Sequence, residues 1–193
     1  MASPVGHTLL GLALGSGRGS SPRLSAAWLL LAAVAANAPD LDYLAGLLAG
    51  DLGRFHRGIS HSAFAALLFG IAVGLAVRVA NRGAFGRTAV WAGLLYLSHI
   101  VIDLLGFDHG GLSGMPILWP ITDETVYWPW PFLPGLANVT QGTEVGTFVR
   151  SLATAPNVRA VLVEILLLGP LALFAWRSRR RARARSSTSG ASD

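Results

Sequence analysis

TAVWAGLLYLSHIVIDLL, Thr88 to Leu105, decides the fold. Its one carboxylate is Asp103, it has no basic residue, and the rest is almost wholly apolar. A membrane-spanning helix needs ~20 mostly apolar residues, with a range of about 17–25, so this stretch reads as a span. His99 and Asp103 are set into it four residues apart, which puts both on one helical face about one turn apart. An imidazole and a carboxylate on one buried face make a pair of metal ligands. They also make a hydrogen-bonded pair that glues two membrane helices together. Taken alone, the stretch leaves both readings open.

Further apolar segments lie on either side: Leu24 to Ala38, Ser62 to Ala80 and Val158 to Trp176. The last two are long enough to span, whereas the first is short and stops at Pro39. A weaker segment, Val5 to Leu14, is too short to span alone and suits a partly inserted helix covered by protein. The expected fold is therefore all-α, a polytopic membrane helical bundle of about four spans plus a short N-terminal helix. Composition agrees, because apolar residues make up 52% of the 193-residue chain and charged residues only 13%, against about a quarter in a soluble domain. Residues 1–177 are expected to form a single membrane-embedded helical domain. Within it, residues 106–157, rich in Gly, Pro and Trp, are expected to lie along the membrane surface, since tryptophan prefers the headgroup zone. Residues 178–193 read as a basic, disordered cytoplasmic tail. Ala36-Asn37-Ala38 mimics a signal-peptidase site, but the long apolar stretch before it does not match a signal peptide, and cleavage is not expected.

The chain has no cysteine, which excludes disulfides and thiolate metal sites and leaves nitrogen and oxygen ligands. All fifteen basic residues are arginine. A cluster from Arg177 to Arg185 beside an apolar helix reads as a membrane anchor, with the lipid bilayer as partner and no nucleic acid expected. Arginine placement gives the orientation. The C-terminal tail, the loop holding Arg82 and Arg87, and the region of Arg18 and Arg23 are expected inside. Pro39 to His61 and Gly106 to Asn157 are then outside, with Arg54 and Arg57 arguing weakly the other way. This corresponds to a multi-pass membrane protein with its C-terminal tail in the cytoplasm and its polar site toward the outer side.

Ionisable residues in or beside spans are costly and usually functional. Here they are patterned. Asp40 and Asp42 sit in APDLDYL, where Pro39 closes a helix; such a D-x-D can aim two carboxylates at one site, although, taken alone, turn chemistry is the better explanation. His56 and His61 sit in FHRGISHSAF, where Ser60 or Ser62 can cap the next helix. His7 lies in SPVGHTLLG, and Asp108 and His109 follow the Thr88–Leu105 helix. The last apolar segment offers Glu164 alone. The alternating topology brings the end of one helix, the start of the next and the end of Thr88–Leu105 to the same side. His and Asp residues from separate segments therefore meet at one depth. Such ligands suit zinc, manganese or iron, and several carboxylates suit a two-metal site.

In order, GHTLLG, PDLDYL, HRGISHS and LSHIVIDLL resemble the YdjM-like family of bacterial inner-membrane proteins, over roughly Pro4 to His109. The resemblance implies a membrane-bound metal-dependent hydrolase. A more distant similarity is to the pattern of zinc-dependent phospholipase C and related nucleases, in which a further histidine follows H-x-x-x-D, a role open to His109. That pattern has a second H-x-x-x-D further on, which this chain lacks, so one or two ions are expected rather than three. The expected ligands are His7, Asp42, His61, His99, Asp103 and His109, holding a divalent metal, zinc first. Asp40, His56 and Arg57 are expected in catalytic or supporting roles around a metal-activated water, acting on a phosphoester or lipid-linked substrate. A metal or proton transporter and a non-catalytic structural or regulatory protein are the competing classes. The polar groups gather at one side and the spans show no inverted halves, which speaks against transport.

Overall fold

The computed structural model describes residues 1–16, 22–80, 82–107, 114–137 and 145–189. Among them the chain is helical, with no strand beyond the isolated bridges Gly106–Leu133 and Met115–Val126. The helices are α1 (Pro4–Gly15), α2 (Pro22–Asn37), α3 (Asp42–Leu48), α4 (Ala63–Val79), α5 (Phe85–Leu105), α6 (Val145–Leu152) and α7 (Ala155–Ser189). Two 3-10 turns, Ala38–Leu41 and Ile59–His61, carry the chain around the polar end of the bundle.

Local chemistry sets the boundaries. Ser3 caps α1 by accepting from Gly6 N, with Pro4 in the first helical position, where its fixed φ and missing N–H cost nothing. Ser62 caps α4 by accepting from Ala65 N. That leaves Ser60 for other work. Pro39 ends α2 by denying it a further donor and turning the chain into the Ala38–Leu41 turn.

Small residues let the helices approach closely. A Cβ on Gly70 of α4 would lie 2.5 Å from Ala89 O of α5, and one on Gly11 of α1 would lie 2.6 Å from Ala36 Cβ of α2. This is how membrane helices pack where apolar burial gives no drive between them. α4 lies along α5, α1 packs against both α2 and α7, and α2 crosses α5.

The expectation of about four spans is narrowed. Among the described residues, two helices are long and apolar enough to cross a bilayer, Phe85–Leu105 and Ala155–Arg181. α2 and α4 have 16 and 17 residues, or about 24 and 26 Å at 1.5 Å per residue, short of a hydrocarbon core of about 30 Å. Within the expected surface segment, residues 114–137 form an irregular cover, and the helix α6 follows at Val145–Leu152. Met115 and Leu133 are buried in the core while Trp130 and Phe132 are exposed. The tail differs too: α7 continues through the arginine block to Ser189, as alanine and arginine both favour helix.

Candidate functional site

The Ala38–Leu41 turn, the Ile59–His61 turn, the first turn of α1 and the last turns of α5 meet at one end of the bundle. They bring His7, Asp40, Asp42, His56, His61, His99 and Asp103 together. Tyr96 holds the second turn against α5 by donating to Ser60 O at 2.6 Å. His7, His61, His99 and Asp103 are buried to 2% exposure or less.

Two histidines have a forced tautomer. His99 Nδ1 lies 2.8 Å from Ala36 O. A carbonyl only accepts, so Nδ1 carries hydrogen and Nε2 is left as a lone pair. For His61, Ser60 Oγ gives its proton to Asp42 Oδ2 at 2.7 Å and accepts from His61 Nδ1 at 3.0 Å. In the neutral ring His61 Nε2 is therefore also left bare. Both nitrogens face Asp40 Oδ1, at 3.4 Å from His99 and 3.7 Å from His61.

Across the same gap, Asp103 Oδ2 lies 3.9 Å from His99 Nε2, and Asp103 Oδ1 lies 3.2 Å from His7 Nε2. The rings of His7 and His99 stack with centroids 3.6 Å apart. His7 Nε2, His61 Nε2, His99 Nε2, Asp40 Oδ1 and Asp103 Oδ2 are all buried and form no hydrogen bond. Acceptors turned on one another in a buried site need a cation between them, a proton or a metal ion. The donor set fits a divalent metal. Its nitrogens belong to imidazoles, the far nitrogens of His61 and His99 are anchored by Ser60 and the Ala36 carbonyl, and the oxygens are carboxylate.

Asp42 stands outside this gap. Its oxygens are taken by Ser60, by His56 Nδ1 at 3.2 Å and by His61 Nδ1 at 3.4 Å. Burial opposes its charged form, but His56 and His61 outweigh it and lower the carboxyl to about 2. Burial likewise opposes charge on Asp40, yet His61 and His99 hold it well below the ordinary carboxylate range. For the His61 imidazole, burial lowers the pKa, but Asp40 and Asp42 prevail and raise it to about 9. The proton is thus the cation that competes for this gap. His56 stacks on Tyr43, and its Nε2 reaches Met1 Sδ at 3.3 Å. Arg57 adopts a left-handed backbone, φ 60°, uncommon for a residue with a Cβ. Its Nε lies 4.0 Å from Asp103 Oδ2.

His109 and Asp108 lie outside the described residues. Reading the sequence missed Ser60, whose role was taken for helix capping, and Ser3, which had no signal of its own. It also passed over Glu164, fully buried in α7. The signal for Glu164 was present, as a single carboxylate in an apolar helix.

Comparison with known proteins follows the same lines. The model of the family described as YdjM inner membrane protein matches residues 1–182. Inner membrane protein YbcI of Escherichia coli (strain K12) is 31% identical over 177 residues, covering 86% of this chain and 90% of that protein. No solved structure matches.

Proposed function

We propose a function from the premise that this chain belongs to the YdjM inner membrane protein family: it is a membrane-bound metal-dependent hydrolase acting on a phosphoester or lipid-linked substrate. One observation carries the reading. Five buried atoms from four separate segments, His7 Nε2, Asp40 Oδ1, His61 Nε2, His99 Nε2 and Asp103 Oδ2, surround one gap without hydrogen bonds. A histidine pair that only locks helices together would spend those atoms on partners.

His7, Asp40, His61, His99 and Asp103 are the ligands in this reading, with Asp40 rather than Asp42 in the inner ring. Three ligand triads have their atoms within 4.8 Å of one another: His7–Asp40–His99, Asp40–His56–His61 and His61–His99–Asp103. Every two of them share a residue. Asp40 is the carboxylate common to two of the triads, so it would be a ligand whether one or two ions bind. Imidazole with carboxylate suits zinc first, then manganese or iron.

A divalent ion in this gap supplies Lewis acidity and an acidified water at neutral pH. The chain supplies the rest. Asp42 and Ser60 keep His61 in the tautomer that bares Nε2, and the Ala36 carbonyl does the same for His99. Arg57 offers a fixed cation to a phosphoryl oxygen as negative charge develops. His56, on the rim and tied to Asp42, is the candidate proton carrier. The depth of the site beside apolar helices favours a substrate presented by the bilayer.

Metal analysis of the detergent-purified protein tests the reading, beside His99→Ala. The expected result is one or two divalent ions per chain, lost in the variant while helical content stays, with phosphoester hydrolysis in lipid micelles that a chelator abolishes. A wild-type protein without stoichiometric metal overturns the metal centre. Bound metal with no turnover of any phosphoester or lipid ester overturns the hydrolase.

A further inference from the structure

Glu164 lies inside the apolar α7, fully buried, and far in sequence from every residue of the gap. A carboxylate within a span is expensive and calls for a reason. Its partners are all at the start of α1. Oε1 accepts from Ser3 N at 2.8 Å, and Oε2 accepts from the Ser3 hydroxyl. The Ser3 hydroxyl oxygen in turn accepts from Gly6 N at 3.1 Å. The carboxylate therefore rests on the N-terminus of α1, where the free N–H groups and the helix dipole favour negative charge. Gly6 makes room for it, because a Cβ there would lie 2.7 Å from Glu164 Oε2.

The same short segment leads into the gap. Ser3 O accepts from His7 N at 3.0 Å, the first backbone bond of α1. Ala2 N donates to Asp103 Oδ1 at 2.7 Å. Ala2 and Ser3 are thus gripped between Asp103 of α5 and Glu164 of α7, and His7 follows one turn later. His7 has no hydrogen-bonded anchor: both ring nitrogens are buried without a hydrogen bond, and Nε2 lies 3.2 Å from Asp103 Oδ1 on the gap side. His61 and His99 each have one. The support that an outer hydrogen bond gives those rings must reach His7 through its backbone.

We infer that Glu164 is the positioning residue for His7: by clamping Ser3 and the first turn of α1, it holds the His7 imidazole in the metal gap. The inference rests on the metal-centre reading above. Glu164 touches no ligand atom and acts only through Ser3 and the α1 backbone.

The test uses the full chain in detergent, loaded with cobalt(II) as a spectroscopic probe. Outer partners of metal ligands typically contribute about 10–100-fold in affinity. Glu164→Ala is expected to weaken cobalt binding by that factor and to shift the cobalt absorption spectrum as His7→Ala does. The double variant should be no weaker than His7→Ala alone, since both act through one ligand. Glu164→Gln, which still accepts from Ser3 N, should restore the wild-type spectrum. A metal-free arm reads the same geometry by diethyl pyrocarbonate labelling. His7 should become reactive in Glu164→Ala while His61 and His99 stay protected. If Glu164→Ala does not fold, Ser3→Ala takes its place with the same expected pattern. Additive losses in the double variant, or a His7 as protected in Glu164→Ala as in the wild type, overturn the inference. A wild-type protein that binds no metal overturns the metal centre instead, and the labelling of His7 then decides the role of Glu164.

Discussion

α5 and α7 pass the same test of length and hydropathy for crossing a bilayer, and they meet opposite surroundings. Of the apolar window of α5, 44% is buried in protein; of that of α7, 11%. α5 is walled in by α2 and α4, and its inward face carries Leu95, Tyr96, His99, Ile100 and Asp103. α7 turns Leu166, Leu171 and Phe174 outward, 73%, 46% and 70% exposed. An apolar surface of that extent is stable against lipid and not against water. Hydropathy therefore reports that a helix avoids water; it does not report whether protein or lipid takes water's place. Each helix also carries a buried carboxylate toward α1, where Asp103 holds Ala2 and Glu164 holds Ser3.

The most forceful way to break this contrast is a matched pair of truncations. Leu95, 2% exposed, sits where a cavity would open, so Leu95→Ala is expected to cost about 3 kcal/mol. Leu166→Ala, facing outward, is expected to change stability by less than ~0.5 kcal/mol. Reversible unfolding in detergent measures both, and equal losses would mean that α7 is packed by protein after all. Next in size is Gly70→Ala at the α4–α5 contact. The added methyl meets backbone that cannot yield easily, and about 1–3 kcal/mol of destabilisation is expected in the same assay. An unchanged stability would show that the two helices do not approach as closely as described. The smallest effect belongs to Asp42→Asn, which weakens the support of His61 without touching a residue of either helix. Metal affinity by isothermal titration is expected to fall about tenfold, the low end for an outer partner. A complete loss would instead put Asp42 among the ligands, as the D-x-D motif first suggested.

Much of this could be read in the chain before folding. His99 and Asp103 declared themselves by their spacing within an apolar run, and the expected alternating topology pointed Asp40, Asp42 and His61 toward their end of the bundle, whereas His7 was a weak signal taken alone. The split between Asp40 and Asp42 was not legible. Two carboxylates one residue apart have the same composition and pattern, and only the Ala38–Leu41 turn decides which faces the gap. Span number was only partly legible for a related reason: a run of apolar residues marks where water is excluded, whereas the ends of α2 and α4 are set by Pro39 and by a loop. Glu164 was visible as an oddity, but its purpose depended on a partner 161 residues away, beyond the reach of any local pattern.

That separation has a consequence in time. Ser3 is made well before Glu164, which follows 161 residues later. At roughly 5–20 residues per second, the start of α1 waits about 8–30 s for the carboxylate that seats it. During that interval α2, α4 and α5 can already be in the membrane with His61 and His99 in place, while His7 is still unclamped. His7 is thus seated last although it is made before the other residues of the gap, and a nascent protein truncated before α7 would leave the start of α1 without the carboxylate that holds it, however well its other helices had assembled.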